Sequence, residues 1–310
     1  MGESKYQNRR EFLKYFVGSS ALLAGFPALS NEIINKNDLV KLTILYTNDL
    51  HSRIEPFPSN DPKYANMGGF ARRSAVVETV RKENDNVLLL DAGDVFQGTP
   101  YFNLYQGELE YKLMSLMQYD ATTLGNHDFD LGVDNITKQM EHAKFSFINC
   151  NYDFSNTSLH DKITPYKIFK KQGIKIGVLG YGIELEGLVD KKMYKDTVYQ
   201  NPLPVANATA KLLKLDLNCD YVIALSHLGF SYTENKISDM SMAPQTEYID
   251  LIIGGHTHSF LDHPMKLKNK VGKDIYITQV GWAGIWLGKL DVFFSRDKNL
   301  FSHTSDNRKI

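Results

Sequence analysis

One repeated pattern constrains this chain more than any other: short apolar, β-branched runs that each stop at a small polar cluster. Leu42–Tyr46 leads into Asn48-Asp49-Leu50-His51, and Asn86–Leu90 into Gly93-Asp94. Ala121–Leu124 leads into Gly125-Asn126-His127-Asp128, Tyr221–Leu225 into Ser226-His227, and Tyr248–Ile253 into Gly255-His256-Thr257-His258. Four or five consecutive apolar residues suit a strand covered on both faces. Helical spacing fills several of the intervals. Met67–Lys82 places Phe70, Ala71, Ser74, Ala75, Val77 and Val80 on one face. Leu104–Met117 is expected to bury Leu109, Leu113, Leu116 and Met117, and Val133–Ala143 and Pro202–Leu215 follow. Such alternation predicts an α/β fold, and the strand-rich second half (including Tyr166–Phe169, Ile174–Leu179, Ile275–Val280 and Leu287–Phe294) fits two packed sheets flanked by helices.

In open α/β sheets, ligands bind beyond the carboxyl ends of the strands. The polar clusters stand at those ends and hold five of the nine histidines. Taken singly, Asp49 and Asp94 read as turn residues and His227 as a core histidine. His256 and His258 are stronger, because alternate residues of an extended segment point to one side. An Asn beside a His, as at Asn126-His127, has few structural uses at a strand end. Together, these imidazoles, carboxylates and one carboxamide make the donor set of a catalytic metal centre. His142, His160, His263 and His303 have no such neighbours.

The order Asp-x-His, Gly-Asp, Gly-Asn-His-Asp, His, Gly-His-x-His resembles the calcineurin-like metallophosphoesterases. Thr47-Asn-Asp-Leu-His51, Gly68-Gly-Phe-Ala-Arg72, Asp91-Ala-Gly-Asp-Val-Phe-Gln-Gly-Thr-Pro100 and Gly125-Asn-His-Asp-Phe-Asp130 are similar to the 5′-nucleotidase branch of that family. The resemblance covers about residues 40–294. It implies a four-layer αββα sandwich with two mixed sheets, and two divalent ions (zinc, manganese or iron) at the strand ends. One ion would be held by Asp49, His51, Asp94 and His258, the other by Asp94, Asn126, His227 and His256, with Asp94 shared. The implied activity is phosphomonoester hydrolysis of the 5′-nucleotidase type by a hydroxide drawn from water in the field of both ions. His127 would steady the departing oxygen, oriented by Asp130, which also reads as a helix N-cap. The same chemistry serves phosphodiesterases acting on cyclic nucleotides or nucleotide sugars, and thiosulfohydrolase-like enzymes. A binding protein that merely captures metal or phosphate is the alternative from another class.

Arg72 and Arg73 follow the Gly68-Gly69 pair, where a guanidinium near phosphate or a solvated helix face are both readable. Trp282 and Trp286 offer either a stacking wall beside the site or ordinary sheet packing. Cys150 and Cys219 read as two small buried thiols.

The ends carry separate readings. Asn8-Arg9-Arg10-Glu11-Phe12-Leu13-Lys14, the apolar Tyr15–Phe26 and Ala28-Leu29-Ser30 resemble a twin-arginine export signal over residues 1–30, so an exported, periplasmic or extracellular catalytic domain over 40–294 is expected. The apolar stretch is shorter than the roughly 20 residues that span a bilayer, so stable membrane insertion is not expected. Residues 295–310 read as a polar tail that frays. The formal net charge of −1 gives no sign of a nucleic-acid polymer as partner. Relatives of the nucleotidase branch carry a second domain that stacks the nucleobase. The sequence does not extend through one, so either a separate chain supplies it or the substrate is a simpler phosphate ester.

Overall fold

The computed structural model describes residues 39–295 and 297–310; the export-signal reading lies outside the described residues. Two mixed sheets lie face to face. The first has the order β14-β13-β1-β2-β3-β4 with β15 also on β13, from β1 (Leu39–Thr47), β2 (Val87–Asp91), β3 (Ala121–Thr122), β4 (Ser146–Phe147), β13 (Trp286–Ser295), β14 (Leu300–Ser305) and β15 (Arg308–Lys309). Strands β1 to β4 run parallel, whereas β13 is antiparallel to β1. The second sheet has the order β11-β12-β10-β9-β7-β6, from β6 (Tyr166–Lys171), β7 (Ile174–Gly182), β9 (Tyr221–His227), β10 (Leu251–Gly254), β11 (Met265–Lys268) and β12 (Asp274–Thr278). Its four central strands are parallel and its two edges antiparallel. A small ribbon pairs β5 (Tyr152–Asp153) with β8 (Val198–Tyr199).

Side-chain alternation along the strands builds the layers. Leu42, Ile44 and Tyr46 of β1 and Leu88 and Leu90 of β2 meet Ile176, Val178, Tyr221, Ile223, Leu225, Leu251 and Ile253 between the sheets. The opposite faces take helices. Leu45 and Leu89 pack with Phe70, Val77, Val80, Tyr111 and Met114. Val222, Ala224 and Ile252 pack with Ala206, Ala210 and Leu213. The result is the four-layer αββα sandwich.

Local chemistry moved several helix boundaries. Helix α1 (Phe70–Glu83) starts at Phe70 rather than Met67, because Gly68 (φ 80°) and Gly69 (φ 96°) sit outside helical space. Its buried face is Phe70, Arg73, Val77 and Val80. Arg73, expected near phosphate or in solvent, is fully buried with its guanidinium 4.1 Å above the Phe70 ring. Arg72 is exposed and donates to the Asn66 carbonyl.

The segment expected as one helix over Leu104–Met117 is two, α2 (Pro100–Tyr105) and α3 (Glu108–Leu116). Gln106 (φ 57°) and Gly107 (φ 103°) break it, and a Cβ on Gly107 would fall 2.2 Å from the Phe96 ring. The phase therefore resets. Glu110, Tyr111 and Met114 face the core, while Leu116 is 78 % exposed, contrary to its expected burial.

The tail does not fray. Beyond Ser295, β14 and β15 pair antiparallel with β13, and His303 on β14 meets the Tyr221 hydroxyl of the second sheet at 2.9 Å. Hydrophobic patterning missed these strands because, after Leu300 and Phe301, their residues are Ser, His, Thr, Arg and Lys rather than large apolar groups. Cys150 and Cys219 are free thiols, Cys219 buried and Cys150 half-buried. Burial pushes the Cys150 thiol up to about 12. Among the described residues, no helix is long and apolar enough to cross a membrane.

Candidate metal centre

The parallel strands of both sheets deliver the polar clusters to one place. Asp49 and His51 follow β1, Asp94 follows β2, and Asn126 and His127 follow β3. His227 ends β9, and His256 and His258 follow β10. Two groups form, Asp49–His51–His258 and Asp94–His227–His256, in each of which the candidate donor atoms lie within 4.8 Å of one another. The two are contiguous: Asp94 Oδ2 is 3.1 Å from His227 Nε2 and 3.9 Å from His51 Nε2, and Asp49 Oδ1 is 3.4 Å from His258 Nε2 and 3.9 Å from His227 Nε2. Asn126 Oδ1 joins the second group, 2.8 Å from His256 Nδ1.

The backbone at these residues is strained. Asp49 (φ 50°), His51 (47°), Asp94 (56°), His256 (73°) and His258 (53°) all occupy the left-handed region. For residues other than glycine this costs of order 1–3 kcal/mol each, and it persists only where surrounding structure holds it. The support is visible. His256 N donates to Asp49 at 3.0 Å, and Asp49 N, His51 N and Ser52 N donate to the carbonyls of Gly93, Asp94 and Val95 at 2.9–3.0 Å. Asn48 clamps the Asp49 carboxylate at 2.6 Å and the Gly281 carbonyl at 2.5 Å. Asp128 points away from the cluster and accepts from the amides of Asp94, Val95, Phe96 and Gly125 at 2.8–3.2 Å, lashing the β2 loop to the β3 loop.

Glycines make room for the crossing loops. A Cβ on Gly125 would lie 2.2 Å from Asp94 Oδ1, and one on Gly93 would lie 2.6 Å from the Gly125 nitrogen. The Gly-Asp and Gly-Asn-His pairs of the sequence therefore interlock directly.

The donor atoms fit divalent cations. His227 Nδ1 is tied to the Ala92 carbonyl at 2.7 Å, and its Nε2 is buried with no hydrogen-bond partner while facing Asp94. His51 Nε2 and His258 Nε2 face each other at 3.0 Å. A shared cation satisfies such converging lone pairs, and a backbone carbonyl behind an imidazole fixes which nitrogen faces the ion. Mixed imidazole, carboxylate and carboxamide donors suit zinc, manganese or iron, whereas calcium takes oxygen.

The electrostatics follow from burial against charge. Burial opposes the charge on Asp94, but His227 above all, with His51 and His127, holds its carboxyl well below the usual range. Burial likewise opposes charging of His227, yet Asp94 and Asp49 raise it to about 10. Burial brings His256 down to about 4 and lowers His51 despite the two carboxylates. At the mouth, His127 is half-exposed, with Nδ1 3.1 Å from Asp130 Oδ2. That hydrogen bond raises its pKa, partial burial opposing. The His127 amide donates to Asp94 Oδ1 at 2.8 Å, which ties the turn carrying the dyad to the Asp94 carboxylate.

Of the two positions open to it, Trp282 takes the one beside the centre, its indole parallel to the His258 ring (interplanar angle 4°, centroids 5.5 Å apart). Trp286 does pack within the fold, edge-on to Phe260. Nothing local in the sequence distinguishes the two tryptophans.

The chain carries the calcineurin-like phosphoesterase domain over residues 42–260 and belongs to that family. It is 31 % identical to a snake venom 5′-nucleotidase of Crotalus adamanteus, the alignment covering 86 % of this chain and 47 % of that one, and 32 % identical to the 5′-nucleotidase of Rattus norvegicus over 84 % and 47 %. Among solved structures, a 5′-nucleotidase precursor of Thermus thermophilus superposes with a TM-score of 0.79 at 29 % identity, covering 87 % of this chain and 55 % of that one. A calcineurin-like phosphoesterase of Bacillus subtilis superposes with a TM-score of 0.73 at 26 % identity, covering 87 % and 91 %. The chain spans about half the length of the curated relatives it matches.

Proposed function

We propose that this chain is a metal-dependent phosphomonoesterase of the 5′-nucleotidase type, acting on nucleoside 5′-monophosphates or kindred phosphate esters. The observation that carries it is the pair of contiguous histidine–carboxylate groups joined at Asp94, with the His127–Asp130 dyad at its edge. Asp49, His51, Asp94 and His258 would hold one ion, and Asp94, Asn126, His227 and His256 the other. Such ions, when bound, supply Lewis acidity toward the phosphoryl group and acidify water. The chain's own groups do the rest. The carboxylates offset the charge of two cations in a buried setting. His127, its pKa raised by Asp130, carries a proton toward the ester oxygen that departs and faces the phosphoryl charge.

The likeness to 5′-nucleotidases, of which the chain matches about half, favours nucleotides as substrates. In this reading a separate chain bearing a base-stacking domain completes nucleotide recognition, and the phosphoesterase domain is exported by the twin-arginine route. Purified protein reconstituted with manganese should hydrolyse p-nitrophenyl phosphate and AMP and lose both activities in EDTA. Activity indifferent to EDTA contradicts the metal reading. Preference for bis-p-nitrophenyl phosphate over the monoester moves the assignment to a phosphodiesterase. Addition of the completing chain should lower the KM for AMP and leave that for p-nitrophenyl phosphate unchanged. Replacing Arg9 and Arg10 by Lys should retain the protein in the cytoplasm.

A further inference from the structure

The two halves of the centre are supported differently. His227 has a carbonyl behind its distal nitrogen, that of Ala92 at 2.7 Å. His258 has none: its polar ring contacts, His51 Nε2 and Asp49 Oδ1, both fall on Nε2, and Nδ1 has no hydrogen-bond partner among the described residues. What lies against the His258 ring instead is the face of Trp282. The indole is fixed in turn by edge-on contacts to Phe57 and Tyr64, with centroids 5.7 and 6.1 Å away.

The turn that carries Trp282 is bound to the ligand loops on both sides. Gly281 N donates to Ser259 O at 2.8 Å, next to His258, and Ala283 N donates to Asp49 O at 2.7 Å. Gly281 O accepts from Asn48. Ala283 sits at φ 57°, a strained conformation for a residue with a side chain. These bonds reach the Asp49–His51–His258 group, whereas the Asp94–His227–His256 group is braced by Ala92 and by Asp128 through the Asp94 loop.

We propose that Trp282 is a positioning residue for one half of the centre: stacked on His258 within the 281–283 turn, it sets the orientation of that imidazole in place of a hydrogen-bonded carbonyl, so that the Asp49–His51–His258 ion depends on it and its neighbour does not. This rests on the two-ion reading above. Losing a support behind a metal-ligating imidazole typically costs 10–100-fold in metal affinity. An offset parallel stack of aromatic rings can hold a plane without supplying a polar group.

The test is calorimetric titration of Mn²⁺ into the metal-stripped full chain, read alongside the electron paramagnetic resonance of the loaded protein. Wild type should bind two ions and show a spin-coupled pair. Trp282→Ala should keep one ion at wild-type affinity, bind the second about 10–100-fold more weakly, and show uncoupled manganese at equimolar loading. Trp282→Phe, which keeps an aromatic face, should retain the coupled signal; Trp282→Leu, which keeps apolar bulk without it, should not. The Phe–Leu comparison carries the test if the alanine variant does not fold. Unchanged affinities for both ions in Trp282→Leu, or equal weakening of both, overturns the proposal. Wild-type protein that binds fewer than two ions removes the two-ion reading itself, and this proposal with it.

Discussion

His127 Nδ1 lies 3.1 Å from the Asp130 carboxylate, while Asp128, between them in sequence, turns inward and binds four backbone amides. One tight turn, His127–Phe129, thus sorts two acidic residues into different tasks. The assignment is open to direct trial. His127→Ala should lower kcat for p-nitrophenyl phosphate about 10²–10³-fold, the usual size for one such electrostatic contact, with manganese content unchanged. Asp130→Asn should cost less, because the imidazole remains and only its orientation and proton affinity weaken. Equal activity in His127→Ala and wild type removes His127 from the reaction.

Asp128 predicts a change in stability more than in chemistry. Its replacement by Ala strands the four backbone amides of Asp94, Val95, Phe96 and Gly125 where the β2 and β3 loops cross. At about 1–3 kcal/mol for a buried donor left unpaired, partial relaxation still leaves a loss of about 2–5 kcal/mol. Urea melts of the metal-stripped protein measure it directly. A variant as stable as wild type contradicts the buried-clamp role.

Asp94 touches both halves of the centre, so its loss should be felt in both. Asp94→Asn removes one charge from the proposed two-cation site while conserving shape. The expected result is loss of both ions from the dialysed protein and of all ester hydrolysis. Asn126→Ala should instead weaken the His256 half alone. Retention of two ions by Asp94→Asn, measured by metal analysis, refutes its place as the shared carboxylate.

A pH dependence follows from Asp239, in the short helix Asp239–Met242 behind Ser226. Burial raises its carboxyl to about 8, and its Oδ2 has no partner. The unfolded chain releases this proton near pH 4 and the folded chain only near pH 8. Across that interval the folded state therefore binds more protons, and its stability falls as pH rises. Asp239→Asn cannot ionise. Relative to wild type its unfolding free energy, from urea melts, should gain steadily from pH 5 to pH 8, the slope difference approaching about 1.4 kcal/mol per pH unit. Parallel curves for the two proteins would falsify the assignment of a neutral buried acid.

Much of this molecule was readable before any coordinates. The apolar runs ending in polar clusters announced parallel strands, because a strand covered on both faces leaves no room for polar residues except at its ends. Those ends held all seven candidate ligands, and the resemblance of Gly125-Asn-His-Asp-Phe-Asp130 to the nucleotidase branch implied the His127–Asp130 pair. Other features escaped a local reading. The α2–α3 break reverses the expected burial of Leu116, since Gly107 must clear the Phe96 ring, a residue of another loop. Arg73 takes a core position on α1 because Phe70 offers its ring face and Gly284 leaves space beside it.

The sequence by itself determined the layers, the family and the identity of the donor atoms, because period-two burial and the chemical nature of imidazole and carboxylate are local properties. Only tertiary structure decided how closely those donors converge, that Asp128 turns inward onto backbone amides, and which tryptophan lies on His258. Each of these depends on where two loops distant in sequence cross, and on left-handed backbone at Asp49, His51, Asp94, His256 and His258 that the residues would not adopt alone and that bonds from neighbouring loops enforce.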